Sequence, residues 1–124
     1  MVKETELEKL KRQFAEAGKY NHSKLSPSGI PTPMPQCAYF DDIGQLAMHG
    51  DIDALRFLAE NLNHEDVFVR YAAVGYLGDM PDEYLDKAGI NALEQIAKLM
   101  KTEKDAHIME YAHHAVKKIK KRQR

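Results

Sequence analysis

The residues best suited to chemistry are three histidines and a glutamate near the C-terminus. His107, Glu110 and His114 stand at spacings that share one side of a helix, and Glu110 with His113 makes the Glu-x-x-His pair of di-iron helical bundles. That chemistry requires a second such pair and further carboxylates from facing helices, and the sequence has no second Glu-x-x-His. We therefore predict no metal site and a solvated polar surface.

Cys37 is the single cysteine of the chain and the one candidate thiol nucleophile. It follows Pro35 and Gln36 at the start of a predicted helix, where the helix dipole lowers the pKa of a thiol modestly. No sequence feature supplies a catalytic base for it, so we expect Cys37 to pack as a small apolar residue. One cysteine, together with charged residues where a secretory signal is apolar, predicts a cytoplasmic protein.

The remaining polar groups also indicate no reaction. The paired carboxylates Asp41–Asp42 and Asp82–Glu83 stand at predicted helix starts, where negative charge is stabilised by the exposed amide groups. The glycines form no phosphate-binding loop. We predict that the protein is not an enzyme and has no catalytic, cofactor-binding or metal-binding residues.

Charge is distributed unevenly along the 124 residues, although the formal net charge is only −1. Residues 1–38 carry +2, residues 39–110 carry −9 and residues 111–124 carry +6. An acidic body attracts basic surfaces at long range, so we expect a protein partner with a basic surface. No apolar run approaches the roughly 20 residues that cross a bilayer, so no membrane partner is expected.

The chain divides into three predicted parts. Residues 1–18 form an amphipathic helix that carries Leu7, Leu10 and Phe14 on one side and ends at Gly18. Residues 19–36 contain four prolines and form a linker, which could also support homo-oligomers together with the first helix. Residues 37–124 form the main helical domain.

Helical spacing recurs through the main domain with recognisable start signals. Helices are predicted around 39–50, from Asp51 through Leu62, from Asp66 to Gly78, around Pro81–Leu85, over 90–101, and from Asp105 to the end. The segment from Asp66 matches the segment from Asp105 at an offset of 39 residues: Val69, Ala73 and Leu77 correspond to Ile108, Ala112 and Val116. The repeated unit is a helical hairpin, which buries its apolar side only by stacking on a neighbour.

Residues 66–78, with Val69 and Arg70 adjacent and Ala72, Ala73, Leu77 and Gly78 following, resemble the second helix of a HEAT repeat. The resemblance covers residues 51–119 and implies an all-α fold: a short right-handed α-solenoid of stacked antiparallel hairpins.

The second copy departs from the pattern, as Met109 replaces Arg70 and Lys117 replaces Gly78. His64 stands two positions before Asp66, where the family often has an acidic residue. These departures weaken the expectation of a regular polar ladder between hairpins and suit a terminal repeat.

An alternative resemblance is to the junction of an ankyrin repeat, in residues 47–58. The 33-residue period and the Thr-Pro-Leu-His motif of that family do not follow. We therefore favour the HEAT-like interpretation.

The predicted function is that of a non-enzymatic interaction module. In HEAT-like proteins the second helices line the concave surface, so the resemblance implies that outward-facing residues of those helices bind the partner. In this chain they are Arg70, Tyr71, Val74, His113, His114 and Lys117. A narrower hypothesis is an immunity-type inhibitor of a basic toxin or nuclease. The alternative from another class is nucleic-acid binding through the basic C-terminal helix.

Overall fold

A computed structural model describes residues 4–18 and 35–122, and this part of the chain is entirely helical. It contains seven helices and no strand: α1 (Glu6–Ala17), α2 (Pro35–Met48), α3 (Ile52–Glu60), α4 (Val67–Asp79), α5 (Asp82–Ala88), α6 (Ala92–Met100) and α7 (Ala106–Arg122). The prediction of an all-α fold is confirmed.

Polar side chains immediately before the helices fix where the helices begin. A side-chain oxygen accepts a hydrogen bond from a first-turn amide at Thr5, Asp51, Asp66, Asn91 and Asp105. Such caps satisfy amide groups that have no partner inside the helix. The starts predicted after Asp51, Asp66 and Asp105 are confirmed.

α2 begins at Pro35, so its first two residues fall within the segment predicted as the linker. Proline is favourable in the first turn of a helix, since its missing N–H has no partner to lose there. Gln36, assigned to the linker, is buried, and its side-chain amide donates to the carbonyl oxygen of Phe14 at 3.1 Å. The rest of the predicted linker, residues 19–34, lies outside the described residues.

The helices pack so that α4 is central. It contacts α2 on one side and α7 on the other, and it also touches α3 and α6. In turn α1 packs on α2, α3 on α2 and α5, and α6 on α7. Val69 of α4 and Ile108 of α7, which correspond at the 39-residue offset, are 0% and 1% exposed. Both residues therefore lie in the core.

The first helix is held to the remainder by aromatic contacts. The ring of Phe14 lies 5.5 Å from that of Phe40 in α2 and 5.4 Å from that of Phe57 in α3, and Leu7 and Leu10 are also buried. Aromatic pairs at such distances contribute about 0.5–1.5 kcal/mol beyond the burial of their area.

Candidate partner-binding surface

Two large apolar side chains of the described residues are exposed, and both belong to α4. Phe68 is 36% exposed and Tyr71 is 45% exposed. They are three residues apart, so they lie next to each other on the helix surface. Asp66 fixes this register because its carboxylate accepts hydrogen bonds from the amides of Phe68 at 2.8 Å and Val69 at 3.1 Å.

Tyr71 stacks on Tyr111 of α7. The ring centroids are 4.4 Å apart and the rings are nearly parallel, at 12°. Gly75, one turn after Tyr71, makes room for this approach, since a Cβ atom there would lie 2.7 Å from the Tyr111 hydroxyl oxygen. Burial, followed by the proximity of Tyr71, raises the pKa of Tyr111. We refer to Phe68, Tyr71 and Tyr111 as the aromatic seam.

Arg70 forms an ion pair between the hairpins. Its Nε donates to Oε2 of Glu103 at 2.7 Å and its Nη2 to Oε1 at 3.1 Å. Its Nη1 donates to the carbonyl oxygens of His64 at 2.8 Å and Glu65 at 3.0 Å. The Arg70 side chain is 21% exposed, and every nitrogen of its guanidinium group donates within the chain. The predicted binding role of Arg70 stays a prediction, and a partner would meet a guanidinium group that is already hydrogen bonded.

Glu103 is the buried member of this pair, with a side chain only 3% exposed. Oε1 also accepts from the backbone amides of Lys104 at 3.2 Å and Asp105 at 3.0 Å. Burial opposes its ionisation, but the hydrogen bonds from Arg70 and from these amides outweigh burial, so the pKa of Glu103 is lowered. At the 39-residue offset Glu103 corresponds to His64, so the second hairpin has the acidic residue that the first lacks.

Val74 has no exposed surface, and the prediction that it faces outward is wrong. Helical spacing from Val69, Ala73 and Leu77 alone left Val74 outside the apolar stripe. Because α4 is packed against α2, α3 and α7, its buried arc is wider than that stripe and includes Val74.

The other predicted binding residues, His113, His114 and Lys117, are exposed on α7. At about 100° per residue, His114 lies about 60° around the helix from Tyr111, whereas His113 and Lys117 lie about 160° and 120° away. The aromatic seam and the far side of α7 are therefore two separate surfaces. The six predicted residues are divided among these surfaces, the Arg70 ion pair and the core.

A cleft of ≈ 670 Å³ separates the turn after α3 from the turn after α6. Its walls include Glu60, Lys98 and both members of the Arg70–Glu103 pair. His64 also lines it, and its Nδ1 accepts a hydrogen bond from the amide of Asp66 at 3.0 Å. Burial lowers the pKa of His64. The cleft presents charges of both signs.

The candidate nucleophile is in an unfavourable environment. Cys37 is half-buried, and burial, with smaller contributions from Asp41 and Asp66, raises its pKa. The expected lowering by the helix dipole is wrong, because burial and neighbouring carboxylates both oppose formation of the thiolate. Within residues 4–18 and 35–122, no group of three or more His, Cys, Asp or Glu side chains is placed to hold a metal ion.

No family model, no curated protein and no solved structure matches the chain. In the part of the chain that the structure describes, no helix combines the length and the apolar character required to span a membrane.

Three residues of this region were not predicted from the sequence: Phe68, Tyr111 and Glu103. Glu103 could have been found from the repeat, because it stands two positions before Asp105. The aromatic seam had no comparable signal. Tyr111 and Tyr71 are 40 residues apart, one more than the repeat offset, and only the packing of α4 on α7 brings them together.

Proposed function

We propose that the protein is a short right-handed α-solenoid of HEAT-like hairpins that binds a protein partner and catalyses no reaction. Two features support the solenoid. Asp66 and Asp105 cap α4 and α7 in the same way. The carboxylate of Asp66 accepts a hydrogen bond from the amide of Val69, and that of Asp105 accepts one from the equivalent amide of Ile108. The helices that these residues begin then pack directly against each other, as neighbouring second helices of a solenoid do.

The exposure of Phe68 and Tyr71 carries the proposal of a partner. The other large apolar side chains of the described residues are buried or half-buried, whereas Phe68 is 36% exposed and Tyr71, which stacks on Tyr111, is 45% exposed. Exposed aromatic groups that cluster on one surface are typical of protein-binding sites, in which a few aromatic side chains supply most of the affinity. The aromatic seam is therefore the proposed centre of contact.

The charge of the body favours a basic partner. Residues 39–110 carry a net charge of −9, and exposed carboxylates include Asp41, Asp42, Asp79, Glu83 and Asp86. Attraction of this kind accelerates association and is weakened by salt. We expect the association rate to fall at least about tenfold between 50 mM and 500 mM salt. A rate that is independent of salt would exclude a basic partner without excluding the aromatic seam.

Affinity purification from the native cell tests the binding surface. The wild-type chain is compared with a Phe68→Ser/Tyr71→Ser variant and with a Glu83→Ser variant, whose exposed residue lies on α5. The expected result is a partner that is enriched by the wild type and by Glu83→Ser and that is lost in the aromatic variant. Circular dichroism confirms that all three chains are folded. A folded aromatic variant that retains every partner would refute the proposed surface.

A further inference from the structure

The cations near the end of α7 fall into two groups with different surroundings. Lys118 and Arg122 point toward α4. Lys118 pairs with Asp79 at 2.5 Å, and Arg122 donates to the carbonyl oxygens of Gly78 at 2.7 Å and Met80 at 3.2 Å. These two cations are explained by contacts within the chain.

The other group lies on the far side of the helix. Lys117, Lys120 and Lys121 are exposed, and none of them forms an ion pair within the described residues. With His113 they define the outer face of α7, at about 180–280° around the helix from Tyr111. Glu110 is the one carboxylate of α7, and it lies on the same arc.

Like charges at these spacings do not help the helix. Lys117 is three residues from Lys120 and four from Lys121, and like charges at such spacings destabilise a helix. The helix dipole offsets this repulsion within the last turn, which includes Lys120 and Lys121 but not Lys117. A bound anion would offset the repulsion of all three lysines.

We propose that the outer face of α7 binds the phosphate backbone of double-helical nucleic acid without reading its sequence. The face has lysines but no aromatic residue, whereas binding of single strands relies on stacking of bases on aromatic rings. A membrane surface requires an apolar side of the helix, and Ile108, Ala112 and Ile119 of α7 are buried in the core. Duplex phosphates are therefore the anions that this face fits best.

The acidic body does not prevent this contact at ordinary salt concentration. Screening reduces interactions between exposed charges beyond about 8 Å at 0.15 M salt. Two acidic side chains beside the end of α7 are already paired: Asp79 of α4 with Lys118, and Asp82 of α5 with Arg122. The ligand and the surface differ from those of the proposed protein partner.

Fluorescence anisotropy of a labelled 30-base-pair duplex of mixed sequence tests the proposal with the full chain. Three phosphate contacts predict a slope of about −2.7 for log affinity against log salt, which is about a 40-fold loss between 50 and 200 mM. A Lys117→Gln/Lys120→Gln/Lys121→Gln variant should lose at least 90% of the affinity at 50 mM salt. The matched control is Lys9→Gln/Lys87→Gln/Lys101→Gln, which removes the same charge from exposed lysines elsewhere and should bind like the wild type.

Several outcomes would overturn the proposal. They are absence of binding by the wild type at 50 mM salt, equal losses in the two triple variants, tighter binding of a single strand of the same length, and a preference for vesicles with anionic lipids. The Phe68→Ser/Tyr71→Ser variant should bind the duplex as the wild type does. Failure of the duplex proposal therefore leaves the protein-binding proposal intact, and the reverse also holds.

Discussion

Arg70 at the start of α4 and Glu103 in the connection between α6 and α7 form a two-point ion pair across 33 residues of sequence. The carboxylate is nearly inaccessible to water, and two backbone amides complete its hydrogen bonding. A buried charge is tolerated when it is paired and fully hydrogen bonded, and removing one member leaves the other uncompensated. The pair therefore holds the two hairpins in one specific arrangement.

Replacing Glu103 should destabilise the fold strongly. Glu103→Ala leaves the Arg70 guanidinium with only the carbonyl oxygens of His64 and Glu65. Since loss of one member of a buried pair costs about 3–5 kcal/mol and Arg70 is partly exposed, we expect a loss of about 3 kcal/mol in the free energy of unfolding. Urea denaturation measures it. Glu110→Ala, at an exposed position, is the control and should change the free energy by less than about 0.5 kcal/mol.

Stability should also fall as the pH falls from 7.5 to 5.5, with His64 as one cause. Burial lowers the pKa of His64 in the folded state, and its Nδ1 must be unprotonated to accept from the amide of Asp66. As the pH falls below about 6.5, His64 is therefore protonated in the unfolded chain before it is protonated in the folded chain. This uptake favours the unfolded chain, so the free energy of unfolding decreases as the pH falls. The lowered pKa of Glu103 acts in the same direction only below about pH 4.5.

A His64→Asn variant isolates the contribution of His64. Asparagine offers an oxygen acceptor at a similar position and does not titrate. Urea denaturation at pH 7.5 and pH 5.5 should show a smaller loss of stability in His64→Asn than in the wild type. The same loss in both proteins would mean that His64 makes no contribution to the pH dependence.

The close approach of α2 and α4 depends on Gly44. A Cβ atom at this position would lie 2.3 Å from the ring of Tyr76, which cannot move easily because its hydroxyl donates to the carboxylate of Asp41 and accepts from Gln45. Burial and the hydrogen bond to Asp41 raise the pKa of Tyr76 to about 12. The tyrosine is thus fixed, protonated, against the glycine.

Gly44→Ala should therefore lower stability by about 1–2 kcal/mol, although alanine favours a helix over glycine by about 1 kcal/mol. The loss should largely disappear when Tyr76 is also replaced by a smaller residue, in a Gly44→Ala/Tyr76→Val chain measured against Tyr76→Val. Thermal unfolding of the four proteins gives the coupling energy. Additive effects would show that the alanine does not meet the tyrosine ring.

The fold was predictable to the extent that it depends on local chemistry. The helix starts were predicted from three N-cap residues, Asp51, Asp66 and Asp105. The apolar spacing identified Val69 and Ile108 as core residues. Where several neighbours surround one helix, local spacing was insufficient. Val74 is buried because α4 is enclosed on several sides, a property that no window of its own sequence contains.

The candidate surface was less predictable, because it depends on contacts between distant residues. Tyr71 could be selected from its type and helical position, but its stacking on Tyr111 requires the register of α4 against α7. The same register explains why the basic segment of α7 is divided. Lys118 and Arg122 are four positions apart and lie together on the side of α7 that contacts α4. Lys117 and Lys121 have the same spacing but lie on the exposed side.

The C-terminal end of α4 should depend on Arg122. The last turn of α4 contains no basic residue, and Arg122 supplies hydrogen bonds to the carbonyl oxygens of Gly78 and Met80 and an ion pair to Asp82. A cation at these carbonyl groups satisfies acceptors that have no partner inside the helix and interacts favourably with its dipole. Arg122→Gln should therefore lower the free energy of unfolding by about 1–2 kcal/mol in urea denaturation. Lys120→Gln removes an equal charge from the exposed side of the same helix and should change it by less than about 0.5 kcal/mol. If the two variants were equally stable, the contacts of Arg122 with α4 would contribute nothing, and the division of the α7 cations into structural and free groups would be wrong.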